Sequence, residues 1–287
     1  MDGERVLAGA VEGYRVALGD RLLAAYALGS LAHGGFSELV SDIDLGLIVS
    51  DPLLAGDAPM IQAVADTEKS KGSALHERLS VFWGTPTTLR RERDGGRFPA
   101  LDRLDLIENG RLLIGSDDAR HGLPRPSASE LLITGAEFAL DYLAGVRRPL
   151  GLPTERPGSM RIAAEDAIEE ILCPDLLLDR GVRRLTKLVL FPVRFIYTEA
   201  TGQVGTNAAA VAHYLEDDQA PSTRLVAAAL AWRTAPPPDQ TAASKLLGEQ
   251  MLPLYLYYID NHIKRLASIG EIDLARAFHQ WRDRLAR

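Results

Sequence analysis

Hydrophobic and polar positions recur along this chain with two different periods, and the change between them divides it. In the first stretch Val6, Leu7, Ala10, Val11, Tyr14, Ala17 and Leu18 fall at helical spacing, which predicts a helix over 6–18. Leu22–Leu28 is an unbroken apolar run ending at Gly29-Ser30, the length of a buried strand. Residues 42–50 alternate: Asp42, Asp44, Gly46 and Ile48 share one face, and Ile43, Leu45, Leu47 and Val49 the other, the period of a strand. A helix is predicted over 57–71, a third strand over Glu77–Trp83 (ERLSVFW), and a charged, Gly-containing loop over 90–97. Residues 102–115 read as a helix or strand, a turn at Gly110 and a last short strand. Pro124, Pro126 and Ser127 mark a boundary, with Ser127 or Ser129 placed to cap a helix. Beyond it the period is helical almost throughout, over 130–145, 161–172, 182–201, 206–215, 222–233, 241–268 and 272–285, and Pro192 should kink the third of these. The expected fold class is α+β: a first domain, residues 1–125, with a small mixed β-sheet flanked by helices, then an all-helical domain, residues 126–287.

Composition narrows the setting. A chain of 287 residues suits two domains, and 46% hydrophobic with 25% charged residues is the balance of an ordinary globular protein that buries its core without covalent staples. Cys173 is the only cysteine, so no internal disulfide can form and a reduced, cytoplasmic setting is expected; no His/Asn signature surrounds it to suggest a reactive thiol. The first residues, MDGERVLAG, carry acids where a signal peptide needs a basic stretch. No apolar run reaches about eighteen residues, and even 185–197 carries Lys187 and Arg194, so no membrane partner is expected. The net charge of −7 repels phosphate backbones, which argues against nucleic acid as a partner while leaving room for a local basic site. The same acidity is compatible with a cationic small substrate, but solubility accounts for it equally well.

The candidate chemistry lies in ALGSLAHGGFSELVSDIDLGLIV, residues 27–49. A strand ends at Gly29-Ser30, an eleven-residue spacer follows, and then comes Asp42-Ile43-Asp44. Two carboxylates two residues apart on a strand project from one face, with about 6–7 Å between their Cα atoms. As hard oxygen ligands they can share or grip Mg²⁺, whereas without a cation they would repel. Gly29 removes a side chain and lets backbone N–H groups approach a phosphate; Ser30 adds a hydroxyl, and a helix beginning there would aim its N-terminus at the anion. These parts can seat a nucleoside triphosphate against a metal, and phosphoryl transfer then needs little beyond positioning and charge neutralisation.

Gly-Ser, a spacer of about ten residues and Asp-x-Asp in an apolar strand resemble the polymerase-β-like nucleotidyltransferase superfamily. GSLAHGGF followed by SDIDLGLIV is similar to the aminoglycoside adenylyltransferases and their uncharacterised relatives. The resemblance implies a third carboxylate on a neighbouring strand, as metal ligand or general base. Glu77, at the start of ERLSVFW and in phase with Leu79 and Val81, is the candidate, with Asp102 and Asp105 in reserve. A second stretch, KLVLFPVRFIYTEATGQVGTNAAAVAHYL, resembles the C-terminal helical domain of the streptomycin/spectinomycin-type enzymes, where an arginine and a lysine reach the triphosphate. Arg194 matches the arginine. Thr206-Asn207 stands where the family has Ser-Lys, so the lysine is missing. Arg183, Arg184 and Lys187 occupy the turns where acids for a polycationic drug would be expected, which suits an anionic acceptor or the nucleotide itself; Asp175 and Asp179 lie just upstream.

The expected activity is transfer of a nucleoside monophosphate, AMP from ATP, to a hydroxyl of a small-molecule acceptor with release of pyrophosphate. Asp42, Asp44 and Glu77 would be the catalytic and metal residues, and Gly29, Ser30 and Arg194 the nucleotide-binding ones. Two alternatives stand beside it: a toxin–antitoxin-type nucleotidyltransferase acting on protein or RNA, and a nucleotide-binding regulatory protein without catalysis. Ser30 and Arg194 are far apart in sequence, so the expected site lies in a cleft between two domains.

Overall fold

The computed structural model describes residues 2–145 and 164–287. They form an α+β protein with one four-stranded mixed sheet and an otherwise helical body. The chain divides into two compact units, Met1–Pro126 and Ser127–Arg287.

The first unit begins with helix α1 (Asp2–Leu18), which carries Asp2 and Glu4 in its first turn and Arg15 in its last, the charge order that complements the helix dipole. Its apolar stripe, Val6, Leu7, Ala10, Val11, Tyr14 and Leu18, is buried. Strand β1 (Leu22–Leu28) follows, then a single helical turn, α2 (Ser30–His33), and strand β2 (Ile43–Val49). Helix α3 (Asp57–Lys69) lies along α1; the Tyr14 hydroxyl donates to the Ile61 carbonyl at 3.1 Å. A short helix α4 (Ala74–Glu77) leads into strand β3 (Leu79–Gly84), and α5 (Pro86–Leu89), α6 (Ala100–Asn109) and strand β4 (Arg111–Gly115) complete the unit.

The sheet order is β3-β2-β1-β4; β1 pairs antiparallel with β2 and β4, and β2 pairs parallel with β3. Each face has its own core, as a period of two demands. Ile43, Leu45, Leu47, Val49, Leu79 and Val81 pack with α1 and α3 residues, while Tyr26, Leu28, Ile48, Leu89 and Leu106 form the core under α6 on the other face. Every large apolar side chain buried in this way contributes about 1.5–3 kcal/mol.

Among the described residues the second unit is helical: α7 (Ala128–Ala139), α8 (Ala164–Leu172), α9 (Pro174–Asp179), α10 (Val182–Thr201), α11 (Asn207–Leu215), α12 (Thr223–Trp232), α13 (Gln240–Ser268) and α14 (Ile272–Leu285). Ser127 caps α7 in a reciprocal box with Glu130. After Ala139 the helix widens into a π-turn, Leu140–Ala144, and stops at Gly145 in the left-handed conformation. Helix α10 continues unbroken through Pro192, and α13 through Pro253. Aromatic rings fill the centre, with Tyr255, Tyr258, Phe278 and Trp281 all buried and in edge or tilted contact. Cys173 is exposed, just ahead of α9. Of the helix expected over 161–172, residues 161–163 lie outside the described residues. Among the described residues no helix is long and apolar enough to cross a membrane.

Candidate active site

β1 and β2 are antiparallel, so the C-terminal end of one meets the N-terminal end of the other, and Leu28 pairs with Asp44. Gly29 therefore leaves the sheet directly beside the Asp44 carboxylate. It does so at φ 59°, ψ −148°, a backbone conformation that glycine alone adopts readily. A Cβ built on Gly29 would lie 2.3 Å from Asp44 Oδ2. The missing side chain is a requirement of this corner: any other residue would displace the carboxylate. Ser30 follows as the first residue of α2, and the Ala32 and His33 N–H groups donate to the Gly29 carbonyl at 2.9 and 3.0 Å, closing the turn.

Asp44 is the second residue of β2 and Asp42 immediately precedes the strand; both are half-buried. By the alternation of the pleat Asp44 shares its face with Gly46 and Ile48, the side covered by α6, while Ile43 and Leu45 anchor the opposite side. Two half-buried carboxylates at one sheet corner, next to a backbone kept bare by glycine, suit a hard cation that completes its shell with phosphate oxygens and water.

The third carboxylate is placed differently from the sequence expectation. Glu77 does not open β3. Ser73 accepts the His76 N–H and draws residues 74–77 into a helical turn, so the strand begins at Leu79 and Glu77 is exposed at the end of α4. Level with Asp44 on β3 is Ser80, and β3, with the sequence LSVFWG, carries no acid. Among the described residues no group of three or more His, Cys, Asp or Glu side chains is arranged to hold a metal. The acid that does approach the corner is Asp105 of α6, only 6% exposed: its Oδ2 accepts the Gly29 N–H at 2.5 Å and its Oδ1 accepts from Asn109 Nδ2 at 2.9 Å. The Gly29 N–H is thus committed to Asp105 and its bare face to Asp44, which leaves Ser30 as the next residue of the turn.

No family model matches the sequence, and no curated protein does. Among solved structures, the crystal structure of spectinomycin adenyltransferase AAD(9) from Enterococcus faecialis with ATP and spectinomycin is similar, with a TM-score of 0.53 over 88% of this chain and 98% of that one, at 14% identity. The chain shares its α+β fold with that adenyltransferase. At that identity the likeness speaks for the backbone arrangement, and the side chains must be read on their own.

In the helical unit, the stretch that resembles the adenylyltransferases has a local structural logic. Gly202, left-handed at φ 67°, ends α10 and donates its N–H to the Thr198 carbonyl at 2.8 Å. Thr206 caps α11 by accepting the Ala209 N–H. Arg194, half-buried on α10, donates its Nε–H to the Gly205 carbonyl, and its guanidinium lies 5.6 Å from the Phe191 ring centre. A Cβ on Gly205 would come within 2.8 Å of the Arg194 carbonyl, so this glycine lets the loop before α11 close on α10. Arg194 is therefore held beside the start of α11, with Asn207 as that helix's first residue.

Arg184 and Lys187, two of the cations expected to face a ligand, have partners within this unit. Arg184 is 12% exposed; its Nε and Nη2 donate to Glu170 Oε2 at 2.8 and 2.6 Å, and it lies 4.8 Å from the Tyr142 ring centre. It is a packing residue whose charge Glu170 neutralises. Lys187 sits over the Phe191 ring at 5.9 Å. Asp175 accepts from the Ser244 hydroxyl at 2.6 Å.

Proposed function

We propose that this chain is a metal-dependent nucleotidyltransferase that moves a nucleoside monophosphate, AMP from ATP, onto a hydroxyl of a small-molecule acceptor and releases pyrophosphate. The observation that carries the reading is the corner where Gly29, bare and left-handed, lies against the Asp44 carboxylate. Only glycine keeps this corner closed, because the space a side chain would fill is taken by the Asp44 carboxylate, which is thereby held beside the turn into Ser30. Asp42 and Asp44 would hold Mg²⁺, which when bound neutralises charge on the phosphates. The Ser30 hydroxyl and the surface beside Gly29 would receive the triphosphate. Arg194, its side chain held by the Gly205 carbonyl, is the candidate for a positive charge on the triphosphate. With phosphates so aligned, transfer needs an acceptor oxygen in line with the leaving pyrophosphate and a base within reach of its proton. Glu77, exposed at the end of α4, is the candidate for that base.

A catalytically silent nucleotide-binding protein is the reading favoured by the acid-free β3 and by Asn207 in place of lysine. Incubation with α-³²P-labelled ATP, Mg²⁺ and a fractionated metabolite extract separates the two. Transfer of label to a small molecule supports the enzyme; label on protein or RNA supports a macromolecular target; tight ATP binding with no product supports the silent protein.

A further inference from the structure

Gly29 is held from two sides. On one, its bare Cα abuts Asp44 Oδ2; on the other, its N–H is gripped by Asp105 at 2.5 Å. The two acids come from elements far apart in sequence, β2 and α6, and converge on one residue at the end of β1. Asp105 is 6% exposed, and each of its oxygens already accepts a hydrogen bond, one from Gly29 and one from Asn109. A buried carboxylate is expensive to desolvate, and a charge-assisted bond to a backbone N–H is among the stronger hydrogen bonds available to it. Asp105 also sits on the helix that covers the Asp44 face, where Leu106 packs with Leu28 and Ile48. The arrangement fixes the peptide before Gly29 and with it the direction in which the chain turns into Ser30.

The geometry points to Asp105 as a positioning residue for the nucleotide site: its carboxylate anchors the Gly29 N–H, so that Gly29-Ser30 is presented to the phosphates beside an undisplaced Asp44. The inference rests on the nucleotidyltransferase reading of that corner. It differs from a third metal ligand in what it asks of the side chain. A positioning acceptor needs an oxygen at Oδ2, which asparagine also has, since Asn109 can turn its own amide to meet the new NH₂. A ligand or base needs the charge.

The test uses the full chain with Asp105→Ala and Asp105→Asn, reading Mn²⁺·ATP affinity by calorimetry and the exchange of the Gly29 amide proton by NMR. Loss of one anchoring hydrogen bond should weaken Mn²⁺·ATP by about tenfold or more in Asp105→Ala, with Asp105→Asn recovering most of the loss. The Gly29 amide should exchange faster in Asp105→Ala while amides of α10 and α13 stay protected, a local change that general destabilisation would not give. An Asp105→Ala protein that binds like the wild type, or whose Gly29 amide is unaltered, overturns the assignment. So does an Asp105→Asn protein as weak as the alanine variant, which would make the charge the essential property. A wild-type chain that does not bind Mn²⁺·ATP at all defeats the nucleotidyltransferase reading itself, and the positioning role with it, before any variant is compared.

Discussion

Replacing Gly29 with alanine perturbs the corner on which the functional reading depends, and its size can be worked from the geometry. Alanine at φ 59°, ψ −148° carries backbone strain of about 1–3 kcal/mol. The new Cβ, 2.3 Å from Asp44 Oδ2 and 3.2 Å from its Cγ, adds an overlap of the kind that costs about 1–3 kcal/mol in a packed site. The Asp44 backbone cannot yield, because it is paired with Leu28 on one side and Ser80 on the other, so the carboxylate must rotate away. Together these give an expected loss of about 2–6 kcal/mol in urea unfolding, and Mn²⁺·ATP binding at least about tenfold weaker. Gly19→Ala is the control: that glycine also has positive φ, at 52°, but a Cβ there meets nothing within 4 Å, so strain is its only cost. A double-mutant cycle isolates the contact. With Asp44→Ala in the background, Gly29→Ala should cost only about the strain, because the clashing oxygen is gone. Equal costs of Gly29→Ala with and without the Asp44 carboxylate, or unaltered nucleotide binding in Gly29→Ala, would refute the reasoning.

Asp42→Asn and Asp44→Asn should each abolish nucleotidyl transfer while leaving unfolding midpoints equal or higher in the absence of metal, since neighbouring carboxylates repel there; turnover assays and urea titrations on the same preparations check both halves. His262 is 2% exposed and burial holds its imidazole down at about 3, against about 6.5 when unfolded. The unfolded chain therefore binds the extra proton between those values, so stability is level above about pH 6.5 and is lost as pH falls through that window. By pH 5 the loss is about 2 kcal/mol, measurable as a lower urea midpoint that His262→Phe should largely remove. Glu170→Ala leaves the buried Arg184 charge unpaired and should cost about 3–5 kcal/mol in thermal or urea unfolding, whereas exposed pairs such as Arg276–Asp273 should be nearly silent. Streptomycin-type aminoglycosides should be poor acceptors, because Arg183 and Lys187 occupy helix positions where a polycation needs acids; micromolar binding by calorimetry with ATP-dependent inactivation of the drug would count against this.

Much of the fold was legible because its elements are long enough to show a period. The limits of β1 and α10 follow from the apolar runs as read, and the alternation read over 42–50 became β2, one of the two central strands of the sheet. The single-turn helices α2, α4 and α5 are shorter than any periodic signature, and their capping residues, Ser73 and Thr85 among them, look like ordinary loop positions in the sequence. That is also why Glu77 was misread as strand: the alternation of ERLSVFW extends two residues ahead of the pairing, and only the Ser73 cap decides that those residues coil. The Gly-Ser and Asp-x-Asp segments come together at one corner of the sheet, since spacing along two adjacent strands is a local property. The contribution of Asp105 was not legible as such, because it depends on a contact across 76 residues. Arg184 was misread for the same reason: a charge on an amphipathic helix looks available until its buried partner, Glu170 on another helix, is known.

Crystals of the full chain grown with Mn²⁺ and a non-hydrolysable ATP analogue, measured at the manganese absorption edge, test the central claim most directly. The account predicts an anomalous peak bridging carboxylate oxygens of Asp42 and Asp44 at about 2.0–2.2 Å, with phosphate oxygens on the same ion and the triphosphate passing Gly29 and Ser30. Manganese bound elsewhere, or a nucleotide that leaves Asp42 and Asp44 untouched, would contradict it.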